Sequence, residues 1–129
     1  MDIVSADQFV DGLIAALSLL GKTRIDMDNR DLDQQFARAY AEFLEKAEDL
    51  DLVPDFVMTA NADYGDSTCL RDTILSARDI RAIALNNPRF VTLQILMKGQ
   101  PAEERLEENQ IPAKVLHSLA KKYLARIAE

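Results

Sequence analysis

With a single cysteine, Cys69, this chain cannot close an intramolecular disulfide or build a thiolate zinc cluster. Trp is absent and aromatic residues make up only 6%, so Leu, Ile, Val, Ala and Met must fill most of any core. No run approaches the ~20 consecutive apolar residues of a membrane helix. The start, Met1-Asp2-Ile3-Val4, lacks the basic residues and apolar stretch of a secretory signal. Neither an internal repeat nor a low-complexity segment is present. Together these features lead to the expectation of a cytoplasmic protein of bacterial style, without a membrane partner. The nucleophile elbow, zinc signatures and dinucleotide fingerprint are all missing, so no catalytic residue and no cofactor are assigned and the chain is not expected to be an enzyme.

What is present is a globular composition. The 129 residues are 48% hydrophobic and 29% charged, a size and balance that suit one domain over 1–129. The net charge of −7 argues against general nucleic-acid binding, which needs a basic footprint. The charge is unevenly spread. Residues 1–66 hold 15 acids and five bases, whereas residues 67–129 hold seven acids and ten bases. An acidic half and a mildly basic half can attract each other within the fold, or offer two faces to a charged partner.

Along the chain, Ser5 and Gln8 form a capping box, flanked by Val4 and Phe9 at the staple positions. Phe9, Val10, Leu13, Ile14, Leu17 and Leu20 then recur at helical spacing, and Gly21 supplies the left-handed cap. A second helix is expected from Asp31 to Leu50, with Leu32, Phe36, Tyr40, Phe43, Ala47 and Leu50 on one face and Glu42–Lys46 as a favourable i,i+4 pair. Such a stripe suits antiparallel packing on the first helix. A strand is expected at Phe56–Ala60, a third helix over roughly Thr68 to Asn86, with Ile83 and Ala84 on its buried face, that could bend or break at Ser76, and a clear strand from Val91 to Met97. Pro101 to Glu108 reads as a short helix, and Pro112 opens the last one, with Leu116, Leu119, Tyr123 and Ile127 along one side. The fold class is therefore α+β and helix-dominated: two antiparallel N-terminal helices, a strand–helix–strand unit and a C-terminal helix, with an all-α bundle as the alternative. Two strands alone do not make a stable sheet. They need further short strands, for which Lys22 to Met27 is a candidate, or a second copy of the chain in a homodimer.

Three places could carry function. Asp49, Asp51 and Asp55 crowd the C-terminus of the second helix, where its dipole disfavours anions, and form a negative patch fit for a protein partner. Arg71, Arg78, Arg81 and Arg89 could contact nucleic acid beside the Ser76 break. The turn holding Asn61, Asp63, Asp66 and Ser67 could receive a small ligand at a helix N-terminus, although capping accounts for most of its polar residues. Calcium templates fail in both acidic stretches. From Asp26, Arg30 falls at position five, Asp31 where glycine is needed and Ala37 where the bidentate glutamate belongs; after Asn61, Asp66 displaces the glycine. No metal site is assigned. Cys69 and His117 lie on different elements, and no motif marks either as a catalytic pair. The function expected from this profile is that of a small intracellular protein that binds another protein, as regulators, immunity proteins, antitoxins, secretion chaperones and assembly subunits do.

Overall fold

The computed structural model describes residues 2–26, 31–56, 83–85, 92–96 and 99–128. The chain opens with a three-residue strand, β1 (Asp2–Val4), and runs directly into α1 (Ala6–Leu19). The Ser5 hydroxyl accepts from the Gln8 amide at 3.2 Å, while the Gln8 side chain accepts from the Ser5 amide at 3.3 Å, so the capping box is formed from both sides. Val4 and Phe9 are both fully buried across it. At the other end Lys22 N–H reaches the Leu17 carbonyl and Gly21 N–H the Ser18 carbonyl, both at 3.0 Å, with Gly21 at φ +88°. That pair of bonds is a Schellman motif, and its positive φ is what calls for glycine. Burial of α1 extends beyond the expected stripe to Gly12, Ala15 and Ala16, whereas Leu20 is exposed.

Next come β2 (Arg24–Asp26), within the Lys22–Met27 candidate, and α2 (Asp31–Ala47). Phe36, Tyr40, Phe43 and Ala47 of α2 are buried as their spacing requires. The strands β3 (Leu52–Pro54), β4 (Ile83–Leu85) and β5 (Thr92–Ile95) follow, then α3 (Gln100–Glu108) with Pro101 in its first turn, and α4 (Ala113–Leu119). Beyond α4 the winding loosens to a π-helical segment, Ala120–Leu124, and tightens to a 3-10 turn, Ala125–Ile127. Leu116, Leu119 and Ile127 stay buried through both changes, and Tyr123 packs against the same core.

Two small sheets result. In the first, β1 and β3 pair in parallel, with Ile3 opposite Val53. In the second, β5 lies between β2 and β4 and is antiparallel to both. Ile25 of β2 also bridges to Ala128, which ties the C-terminal end to this sheet. The fold is thus a helix-dominated α+β arrangement rather than an all-α bundle, and the strands find partners within one chain.

One expectation needs correction. Ile83 and Ala84 were expected on the buried face of the third helix; they belong instead to β4, in register with Ile95 and Gln94. An apolar triplet suits a helix or a strand equally well, and pairing with β5, which starts after six further residues, decides between them. Of the strand expected at Phe56–Ala60 only Phe56 is described, and it lies past β3, outside any strand. Residues 57–60 and 68–82, with the Ser76 break, fall outside the described residues.

The core gathers around α1, which packs chiefly on α3, α4 and the π-helical segment. Its link to α2 is aromatic. The Phe9 ring lies 6.1 Å from Tyr40 edge-on, 5.5 Å from Phe43 and 5.6 Å from Phe56, centroid to centroid. Tyr40 in turn donates its hydroxyl to the Phe56 carbonyl, which fixes the chain leaving β3.

Candidate interaction surface

Of the three sites foreseen in the sequence, the described residues hold one. Arg71, Arg78, Arg81 and Arg89 lie outside them, as do Asn61, Asp63, Asp66, Ser67 and Cys69. His117 is half-buried on α4. Asp49, Asp51 and Asp55 are all described and all exposed, at the junction of α2 with β3.

Local geometry sets how they are presented. After Ala47 the backbone turns through Leu50 N–H to Lys46 and Asp51 N–H to Glu48, both 3.1 Å, and Asp51 takes φ +58°. Aspartate is among the few side-chain-bearing residues that enter this region readily. The reversal starts β3, whose side chains alternate: Leu52 is buried, Val53 is 39% exposed, Pro54 is half-buried and Asp55 is exposed. Asp55 N–H continues the ladder to the Val4 carbonyl at 3.0 Å. On β1, Val4 faces the core and Ile3 is 62% exposed. Ile3 and Val53 are register partners, and paired strands run ~4.8 Å apart, so the two side chains stand as one apolar pair on the outer face of the ribbon. Asp51 and Asp55 bracket that pair along β3. The negative patch was foreseen; the apolar pair at its centre was not. Its signal was the alternation across Asp51-Leu52-Val53-Pro54-Asp55, obscured by a proline that only an edge strand tolerates.

Two other polar constellations hold elements together. Between the start of α1 and α3 runs an open groove of about 570 Å³, bordered by Asp7, Gln8, Asp11, Glu104, Arg105 and Asn109. One guanidinium nitrogen of Arg105 sits 2.8 and 2.9 Å from the two Asp11 oxygens, an ion pair that spans the groove. Asn109 donates to the Gln8 carbonyl at 2.7 Å and accepts from Ile111 N–H at 3.0 Å, which closes its far end. Among the described residues no three His, Cys, Asp or Glu side chains stand where they could hold a metal ion.

The second constellation joins α2 to the C-terminal segment. Glu42 receives a hydrogen bond from Lys122 and another from the Tyr123 hydroxyl at 3.0 Å, and pairs with Lys46 at 3.6 Å. The bond from Lys122 holds the Glu42 carboxyl below the usual carboxylate range, against the upward push of burial. The same bond raises Lys122. Two stability contributions with opposite pH limits follow. Glu42's is complete above the ordinary carboxylate pKa and vanishes as the pH falls through its lowered value. Lys122's is complete below the ordinary lysine pKa and vanishes as the pH rises through its raised one. Glu42→Gln is therefore expected to lower the melting temperature by a few °C near pH 7, on the order expected of a partly exposed network. The gap should narrow as the pH falls from the ordinary carboxylate range through Glu42's lowered value, in thermal unfolding monitored by circular dichroism. A gap that keeps its size to the acid limit of folding would show that the charge is not what Glu42 contributes.

No protein-family model matches the sequence, and no curated protein or solved structure shows significant similarity to it. Among the described residues, no helix is long and apolar enough to cross a membrane.

Proposed function

We propose that the chain is a non-enzymatic protein-binding module whose contact surface is the outer face of the β1–β3 ribbon. The supporting observation is the exposed, in-register pair of Ile3 and Val53, set between the exposed carboxylates of Asp51 and Asp55. A two-stranded ribbon gains its own stability from its inner face, here Val4 and Leu52. The outward pair adds little to folding, and in water it leaves apolar surface ready to be covered. An apolar centre with a charged rim is the usual layout of an interface, in which burial supplies affinity and the charges supply orientation and rate.

The test is partner retention. The full chain, purified gently from its native cells, is expected to elute with a stoichiometric protein partner. The double variant Ile3→Ser, Val53→Ser should elute alone while keeping its melting temperature within about 2 °C, because neither side chain belongs to the core. Elution of the unaltered chain by itself, or equal retention by the double variant, would remove the support for this surface.

A further inference from the structure

Resting on that protein-binding reading, we infer that the segment covering the ribbon is cationic: an apolar side chain flanked by Lys or Arg, contributed by a different protein and docked onto the face rather than added to the edge. Three observations lead there. The first is the sum of negative sources at one place. Glu48, Asp49, Asp51 and Asp55 are exposed around the end of α2, and the carbonyl end of that helix adds its own partial negative charge. Basic residues normally offset a helix C-terminus. The one in this last turn, Lys46, is held 3.6 Å from Glu42, one turn back along the helix.

The second observation concerns the edge. Strand addition needs a row of unpaired N–H and C=O groups. The strands β1 and β3 are three residues each, and Pro54 has no N–H to give. A partner therefore gains little from backbone pairing here and must use side chains. The third concerns a second copy of the chain. An isologous contact with a second copy would set this acidic face, Asp51 and Asp55 included, against the same face of its partner. A cationic partner meets attraction at the same place.

The experiment uses the isotope-labelled full chain and three capped pentapeptides that alternate leucine with lysine, serine or glutamate. Each is followed by two-dimensional NMR at low salt. The Lys/Leu peptide is expected to shift the resonances of Ile3, Val53, Asp51 and Asp55, and to weaken about tenfold on raising the salt to several hundred millimolar. It should weaken about tenfold again in the variant Asp49→Asn, Asp51→Asn, Asp55→Asn, where asparagine preserves the positive φ at position 51. Equal binding of the Ser/Leu peptide at the same face would overturn the cationic inference while leaving the protein-binding surface in place. Failure of every peptide to shift these residues would overturn it as well, and retention of the native partner then decides the broader reading separately. Shifts scattered over distant acids such as Asp7 and Glu104, or concentration-dependent self-association through Ile3 and Val53, would also overturn it.

Discussion

Phe9→Ala is expected to cost about 3–5 kcal/mol, the largest loss of any single truncation argued for this chain. Phe9 is fully buried, follows the capping box as the staple partner of Val4, and touches three other rings. Removing it takes away more than apolar area. Tyr40 and Phe56, 5.0 Å apart, lose the ring against which both rest, and the Tyr40 hydroxyl bond that anchors the chain after β3 loses its backing. With a total stability of about 5–15 kcal/mol, a loss of this size takes about a fifth of the margin at the least. In a domain of this length it should lower the melting temperature by roughly 10–20 °C. Phe9→Leu, which retains most of the volume, should lose less than half as much. Urea unfolding of both variants measures this directly. A Phe9→Ala protein within about 1 kcal/mol of the parent would show that α1 and α2 are not joined through this ring.

The same neighbourhood shows where the sequence was legible. The capping box at Ser5 and Gln8, the staple and the Gly21 cap are local devices, each written within six residues; the box and the cap are formed as foreseen, and both staple residues, Val4 and Phe9, are buried. So was the buried side of α2, because Phe36, Tyr40 and Phe43 repeat at a helical period long enough to be unambiguous. Three-residue strands offer no period to count. Val4 was identified as a staple residue without its place in β1, and no strand was expected at Leu52–Pro54, where a proline interrupts the run. In β4 the triplet Ile83-Ala84-Leu85 was assigned to a helix, since three residues show no period of their own and their state depends on pairing with Leu93 and Ile95.

The candidate surface divides along the same line. Asp49, Asp51 and Asp55 could be singled out because three acids beyond a helix C-terminus break a known electrostatic preference. Ile3 could not, because it becomes a neighbour of Val53 only through the parallel pairing of β1 with β3, fifty residues on. Glu42 shows the intermediate case. Its bond to Lys46 was legible at i,i+4, whereas its bonds to Lys122 and Tyr123 needed the tertiary fold.

Gly12→Ala is the second large expected effect, and its sign runs against helix propensity. Glycine inside an exposed helix costs about 1 kcal/mol relative to alanine, so the substitution should stabilise if backbone preference were all that mattered. At position 12 an added Cβ would stand 2.7 Å from Asn109 Nδ2 and 2.7 Å from Leu116 Cδ1. Neither neighbour has room to yield. Leu116 is fully buried, and the Asn109 amide is held from both sides, donating to Gln8 and accepting from Ile111. Overpacking of this kind costs about 1–3 kcal/mol, so Gly12→Ala should be destabilising on balance and Gly12→Val clearly more so. The double variant Gly12→Ala, Asn109→Ala identifies the cause. Removing the Asn109 amide relieves one of the two contacts, so the combined loss should fall short of the sum of the single losses by about 0.5 kcal/mol or more. Strict additivity, or a gain in stability from Gly12→Ala alone, would mean that α1 does not approach the α3–α4 connection this closely. Isolated glycine in an otherwise apolar helical pattern was the visible sign of that approach. What it approaches, Asn109 at the end of α3 and Leu116 on α4, lies about a hundred residues along the chain and is set by the packing of the helices.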